Sequence, residues 1–95
     1  MRKKEAIAIT KSLRAFSVQE LSPMVELGSS TKYFRTVVKP HIDKYLHLPI
    51  KLRGIAILTS DLKDSDGVDI VGNIYNTKTQ EKILLASPKS LMCCN

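Results

Sequence analysis

Ninety-five residues are enough for one domain with a modest core and too few for an enzyme with separate cofactor and substrate domains. With 43% hydrophobic and 25% charged residues the composition excludes a disordered chain. No apolar run nears the roughly 20 residues that span a bilayer, so no membrane association is expected. The net charge of +6 is divided unevenly: residues 1–53 carry eleven Lys/Arg against four Asp/Glu, and residues 54–95 carry four against five. A basic half of this kind favours a polyanionic partner such as nucleic acid.

The basic start Met1-Arg2-Lys3-Lys4 is like the first part of a signal peptide, but Lys11 and Arg14 interrupt the apolar positions behind it, so none is expected. Cys93 and Cys94 are adjacent and are the only cysteines. Neighbouring cysteines rarely bridge each other, which excludes a disulfide framework within the chain and points to a reducing cytoplasm. His41 and His47 add no zinc-ligand spacing. Neither a metal nor a cofactor is expected.

In chain order, residues 3–15 carry Ala6, Ile9, Leu13 and Phe16 at helical spacing and predict a first helix. Ser17 and Glu20 have the S-x-x-E spacing of a capping box, with Phe16 placed to staple against Leu21, so a second helix opens at Ser17. Val18, Leu21, Met24 and Val25 would face inward, and Pro23 shortens or restarts that helix. Gly28 breaks the pattern. Ser29 or Ser30 can cap a third helix, in which Phe34, Val37 or Val38, Ile42 and Tyr45 lie on one side and Lys32, Arg35, Thr36 and Lys39 on the other. Pro40 stops this helix near Lys39, or kinks it on its way to about Leu46.

Beyond Pro49 the pattern turns to strands. Arg53–Thr59 is a short β-branched run, Ser60–Gly67 a polar loop, Val68–Tyr75 a second strand and Gln80–Ala86 a third. The Asn76–Thr79 turn would make the last two a hairpin. Residues 1–86 then form one domain and 87–95 a tail.

This order of elements resembles the winged helix-turn-helix family. The resemblance implies an α+β fold, in which a three-helix core with a helix-turn-helix precedes a small antiparallel sheet or hairpin wing. It implies a small sequence-specific regulator of transcription that binds double-stranded DNA with the helix at about 30–39 in the major groove, a homodimer being expected on a palindromic site.

In that reading Lys32, Arg35 and Lys39 follow the groove on successive turns, and the planar fork of Arg35 matches guanine. Ser29, Ser30 and Thr31 hold a phosphate at the helix start. Thr36 reaches a base edge, and Lys78 is the basic residue of the wing. Lys51 and Arg53 are further phosphate candidates or solvent-facing charges. The alternative is a protein-interaction module, an inhibitor or assembly factor, built on the same fold without DNA binding. Asp43 is close to His41 in sequence but on a different helical face, so His41 is not expected to act as a catalytic base. Asp61, Asp64 and Asp66 lack the spacing of a calcium loop, so no enzyme is expected.

Overall fold

A computed structural model describes residues 2–93 of the chain. The first helix is where the apolar stripe predicts it: α1 spans Lys3–Leu13, buries Ala6 and packs Ile9 and Leu13 on the core. The capping box is also present. Ser17 Oγ accepts from the Glu20 N–H at 3.2 Å, and Glu20 Oε1 accepts from the Ser17 N–H at 3.0 Å. The helix it opens, α2 (Val18–Leu21), is a single turn. Ser22 precedes Pro23 and is held extended, which ends the helix there.

Residues 24–27, read above as helix, are instead the strand β1 (Met24–Leu27), with Met24, Val25 and Glu26 all buried. A strand covered on both faces has no apolar–polar alternation to reveal it.

The next helical stretch runs from 32 to 52 with one break. Thr31 Oγ1 caps it by accepting from the Phe34 N–H. Phe34–Val38 is a π-helical turn, closed by the Lys39 N–H on the Phe34 carbonyl at 2.8 Å. Lys39 leaves helical geometry (φ −129°, ψ 72°), and Pro40 starts α3 (Pro40–Ile42) as its first residue. A proline has no donor to lose in a first turn. A second π-turn, Asp43–His47, leads into α4 (Leu48–Leu52). The stretch thus continues past Pro40 and beyond Leu46.

The remaining strands are β2 (Ile57–Asp61), β3 (Ile70–Val71) and β4 (Ser90–Cys93), and between the last two lies α5 (Thr77–Leu85). The third strand expected at 80–86 is therefore helix. Asn76 caps it through the Lys78 N–H, and Thr79 and Ile83, four apart, are its buried positions. Gln80, Glu81, Lys82, Leu84 and Leu85 are all good helix formers. Residues 90–93, assigned above to a tail, form a strand.

The sheet corrects the expected fold. Its order is β3-β2-β1-β4 and every pairing is parallel. Met24 stands level with Ile57 on one side and Ser90 on the other. A hairpin wing needs two consecutive antiparallel strands. Here β3 and β4 lie at opposite edges with α5 between them in sequence, so there is no winged helix.

Successive residues of β1 feed two cores. Met24 joins Ala6, Leu21, Ile42, Leu46, Ile50, Ile55 and Met92 under α1 and the 32–52 helices. Val25 joins Ile70 and Ile83 under α5. Helices thus cover both faces, as a parallel sheet requires.

Candidate ligand site at the carboxyl edge of the sheet

Because all four strands run the same way, their carboxyl ends share one edge. The turn after β1 is fastened to the end of β2 there. Gly28 has φ 70°, a conformation that costs glycine little. The Ser29 N–H donates to the Ser60 carbonyl at 3.0 Å. Ser30, itself at φ 61°, donates its N–H to Asp61 Oδ2 at 2.6 Å. Asp61 Oδ1 accepts from the Lys63 N–H, and the Asp61 carbonyl accepts from the Gly72 N–H. Asp61 is only half-buried, and each carboxylate oxygen accepts more than one hydrogen bond. The loops after β1 and β2 therefore meet at a partly accessible carboxylate, and the loop after β3 is tied to the carbonyl of the same residue.

The strand order makes this edge special. From β1 the chain crosses to β2 through the 32–52 helices on one face and reaches β3 by the 62–69 loop. It reaches β4, on the other side of β1, from α5 on the opposite face. The order thus reverses between β1 and β4. In open parallel sheets a ligand crevice forms outside the carboxyl ends at such a reversal.

Directly behind the 28–31 turn lies a buried polar cluster. Glu26 is 0% exposed. Its carboxylate oxygens lie 2.9 and 3.1 Å from His47 Nε2, and Arg35 Nη1 approaches Oε1 at 3.8 Å. Arg35, 6% exposed, also donates through Nη2 to the Gly67 carbonyl at 2.7 Å, which accepts from Thr59 Oγ1 as well. Gly67 has φ +81°, and a Cβ there would come within 2.5 Å of both Lys32 Cβ and Arg35 Nη2, so only glycine fits. Among the described residues no buried side-chain nitrogen or oxygen lacks a partner. The cluster is complete in itself and braces β1 against the 32–52 helices. A polar hollow of about 350 Å³ opens above it, with Lys32, Thr36, Asp43, Lys51 and Asp66 in its lining.

The residues singled out from the sequence are dispersed. Ser29 is buried, and Ser30 and Thr31 shape the turn and the cap. Lys32 and Thr36 are exposed, and Thr36 Oγ1 donates to the Lys32 carbonyl. Arg35 points inward. Lys39 lies with Nζ 5.7 Å from the centre of the Phe34 ring. Lys78 is exposed in the first turn of α5, away from any wing. Lys32, Arg35 and Lys39 therefore do not share one exposed face, and Tyr33, Val37 and Val38 are exposed apolar side chains between them. Arg53 also serves structure, donating to the Leu13 and Phe16 carbonyls at the end of α1.

Glu26, His47 and Asp61 are the residues that sequence reasoning passed over as a constellation. A signal for the turn existed: an apolar run, then Gly28, then a capped helix. It was masked by reading Met24–Leu27 as helix.

Among the described residues no group of His, Cys, Asp and Glu is placed to hold a metal. No helix among them is long and apolar enough to cross a membrane. Compared with family models, curated proteins and solved structures, the chain matches none.

Proposed function

We propose that the chain binds a nucleoside-containing small molecule at the carboxyl edge of its sheet. The Asp61 carboxylate accepts from the ribose hydroxyls, and the 28–31 turn borders the rest of the ligand. What carries this reading is one observation: the turn after β1 is hydrogen-bonded to an acidic residue at the end of β2, in a parallel sheet whose order reverses at β1. Nucleotide-binding parallel sheets use the same parts, with a glycine turn after the first strand and a carboxylate for the ribose.

The turn also favours one ligand class. A dinucleotide fingerprint has three glycines, the second letting the pyrophosphate approach the backbone and the third allowing close packing of helix on strand. Here Gly28 holds the first place, Ser30 the second and Tyr33 the third. A phosphate-free adenosyl ligand, of the S-adenosylmethionine type, suits this turn better than a dinucleotide.

Calorimetric titration with adenosine, S-adenosylhomocysteine, NAD and ATP tests the assignment. Binding of the first two, lost on Asp61→Ala, is the expected result. Preference for NAD, or affinity unchanged by Asp61→Ala, overturns it.

Duplex DNA is the second reading, favoured by the basic balance of residues 1–53. Its strongest base-reading residue, Arg35, is turned inward to Glu26 and Gly67. The exposed cations Lys32 and Lys51 would serve as phosphate contacts only. Duplex DNA added to the same titration separates the two, since phosphate contacts give an affinity that falls steeply with salt. A cytoplasmic location belongs to this proposal as well, and rests on the sequence alone: Cys93 and Cys94 are adjacent, and neighbouring cysteines rarely bridge each other.

A further inference from the structure

The sheet is finished unevenly at its β4 edge. β1 pairs with one side of β4, and no described strand takes the other side. Exposed edges are normally blunted by lysine, proline or a bulge within the strand. The Ser90–Cys93 strand contains none of these.

Its pattern is that of an interior strand. Met92 is buried in the core beneath the helices of residues 32–52, while Leu91, level with Val25, points to the α5 face and is 61% exposed. Beside it, Leu84 and Leu85 at the end of α5 are 72% and 84% exposed. Leu84, Pro88 and Leu91 line a groove of about 520 Å³ between α5 and β4. Lys89 is the one charged residue from 83 to 93. Contiguous apolar surface of this sort marks an interaction site.

The geometry points to a second copy of this chain as the occupant, joined edge to edge through β4 about a two-fold axis normal to the sheet. Two things are missing at this edge: a strand to continue the ladder and a helix to cover the leucines. A single two-fold operation supplies both. It lays the second β4 antiparallel to the first, and it places the second α5 on the same face, with its own Leu84 toward the groove.

The side-chain alternation is compatible. In an antiparallel pair, directly opposed residues share a face. Leu91 can therefore meet Leu91 of the second copy, which sets the two Lys89 side chains at opposite ends of the pairing and avoids a like-charge contact. The patch is self-complementary, as an isologous interface requires.

Sedimentation equilibrium over a concentration series, in excess reductant so that cysteines cannot link copies, tests the dimer. The wild-type chain is expected to associate to a dimer. Leu91→Lys, which adds an edge lysine, and Leu84→Glu, which charges the groove, are each expected to weaken it by about tenfold or more, equivalent to about 1.4 kcal/mol. Both positions are exposed, and circular dichroism confirms that the variants remain folded. A wild-type chain that stays monomeric throughout overturns the inference. So does a dimer that both folded variants leave unchanged.

Discussion

The two faces of the sheet are built to different standards. On one, α1 and the 32–52 helices close over eight buried apolar residues, and the buried carboxylate of Glu26 is held by His47 and Arg35. On the other, α5 covers three buried residues and leaves Leu84, Leu85 and Leu91 open to solvent. The difference follows from helix length and number. Among the described residues four helices and two π-turns contribute to the first face, whereas one nine-residue helix roofs the second. The first face fixes the geometry of the 28–31 turn and Asp61. The second has apolar surface left over for association.

Substitutions can break or sharpen that contrast. The largest effect is expected at Glu26. Glu26→Ala leaves Arg35 buried beside no counter-charge, and breaking a buried pair costs about 3–5 kcal/mol, read from urea denaturation. A loss under 1 kcal/mol would mean that Arg35 and His47 find water once the carboxylate is gone.

Next come the two cores. Leu46→Ala on the closed face belongs at the upper end of the range of about 2–5 kcal/mol for such truncations, and Ile83→Ala on the thin face at the lower end. Leu46 is 0% exposed, whereas Ile83 is 7% exposed beside an open groove, where neighbours can relax into the space. Equal losses would erase the asymmetry. Smaller still is Ser17→Ala, expected to cost about 0.5–2 kcal/mol through the lost cap of α2, measured by the same denaturation.

Two titrations complete the series. Hydrogen bonds from the Ser17 backbone and hydroxyl hold the Glu20 carboxyl below its ordinary value, against a smaller opposing effect of burial. A carboxyl depressed in the folded state contributes stability above its unfolded pKa and loses it as pH falls through the folded one. Glu20→Gln is therefore expected to flatten the acid end of the stability curve, and an unchanged curve would deny the capping box a role in solution. Tyr45 is lowered as well, first by its hydrogen bond to Lys3 and then by the charges of Lys3 and Lys44. Its phenolate absorbance is expected at lower pH than in Lys3→Ala.

Local features were legible in the sequence and long-range ones were not. The α1 stripe, the Ser17–Glu20 box, the break at Gly28 and the β-branched run near β2 depend on neighbours within a turn or two, and each was readable. Pro40 marked a real break, although helix resumed beyond it because a first-turn proline costs no hydrogen bond. Two of the failures share one cause: parallel pairing. Met24–Leu27 and Ser90–Cys93 are short strands buried or paired through partners more than 30 residues away, and neither shows the alternation of a half-exposed strand. Arg35 misled for a related reason. Helical spacing grouped it with Lys32 and Lys39, but the π-turn of Phe34–Val38 and the partner Glu26 on β1 set its direction, and neither is visible from composition.

The most direct test of the ligand site is an amide chemical-shift titration of the uniformly labelled chain with S-adenosylhomocysteine. A carboxyl-edge site requires saturable shifts concentrated in residues 28–31, 61–63 and 72–73, absent in Asp61→Ala. Shifts centred instead on residues 32–39 or on α5, or none at millimolar ligand, would place the function of this chain elsewhere on its surface.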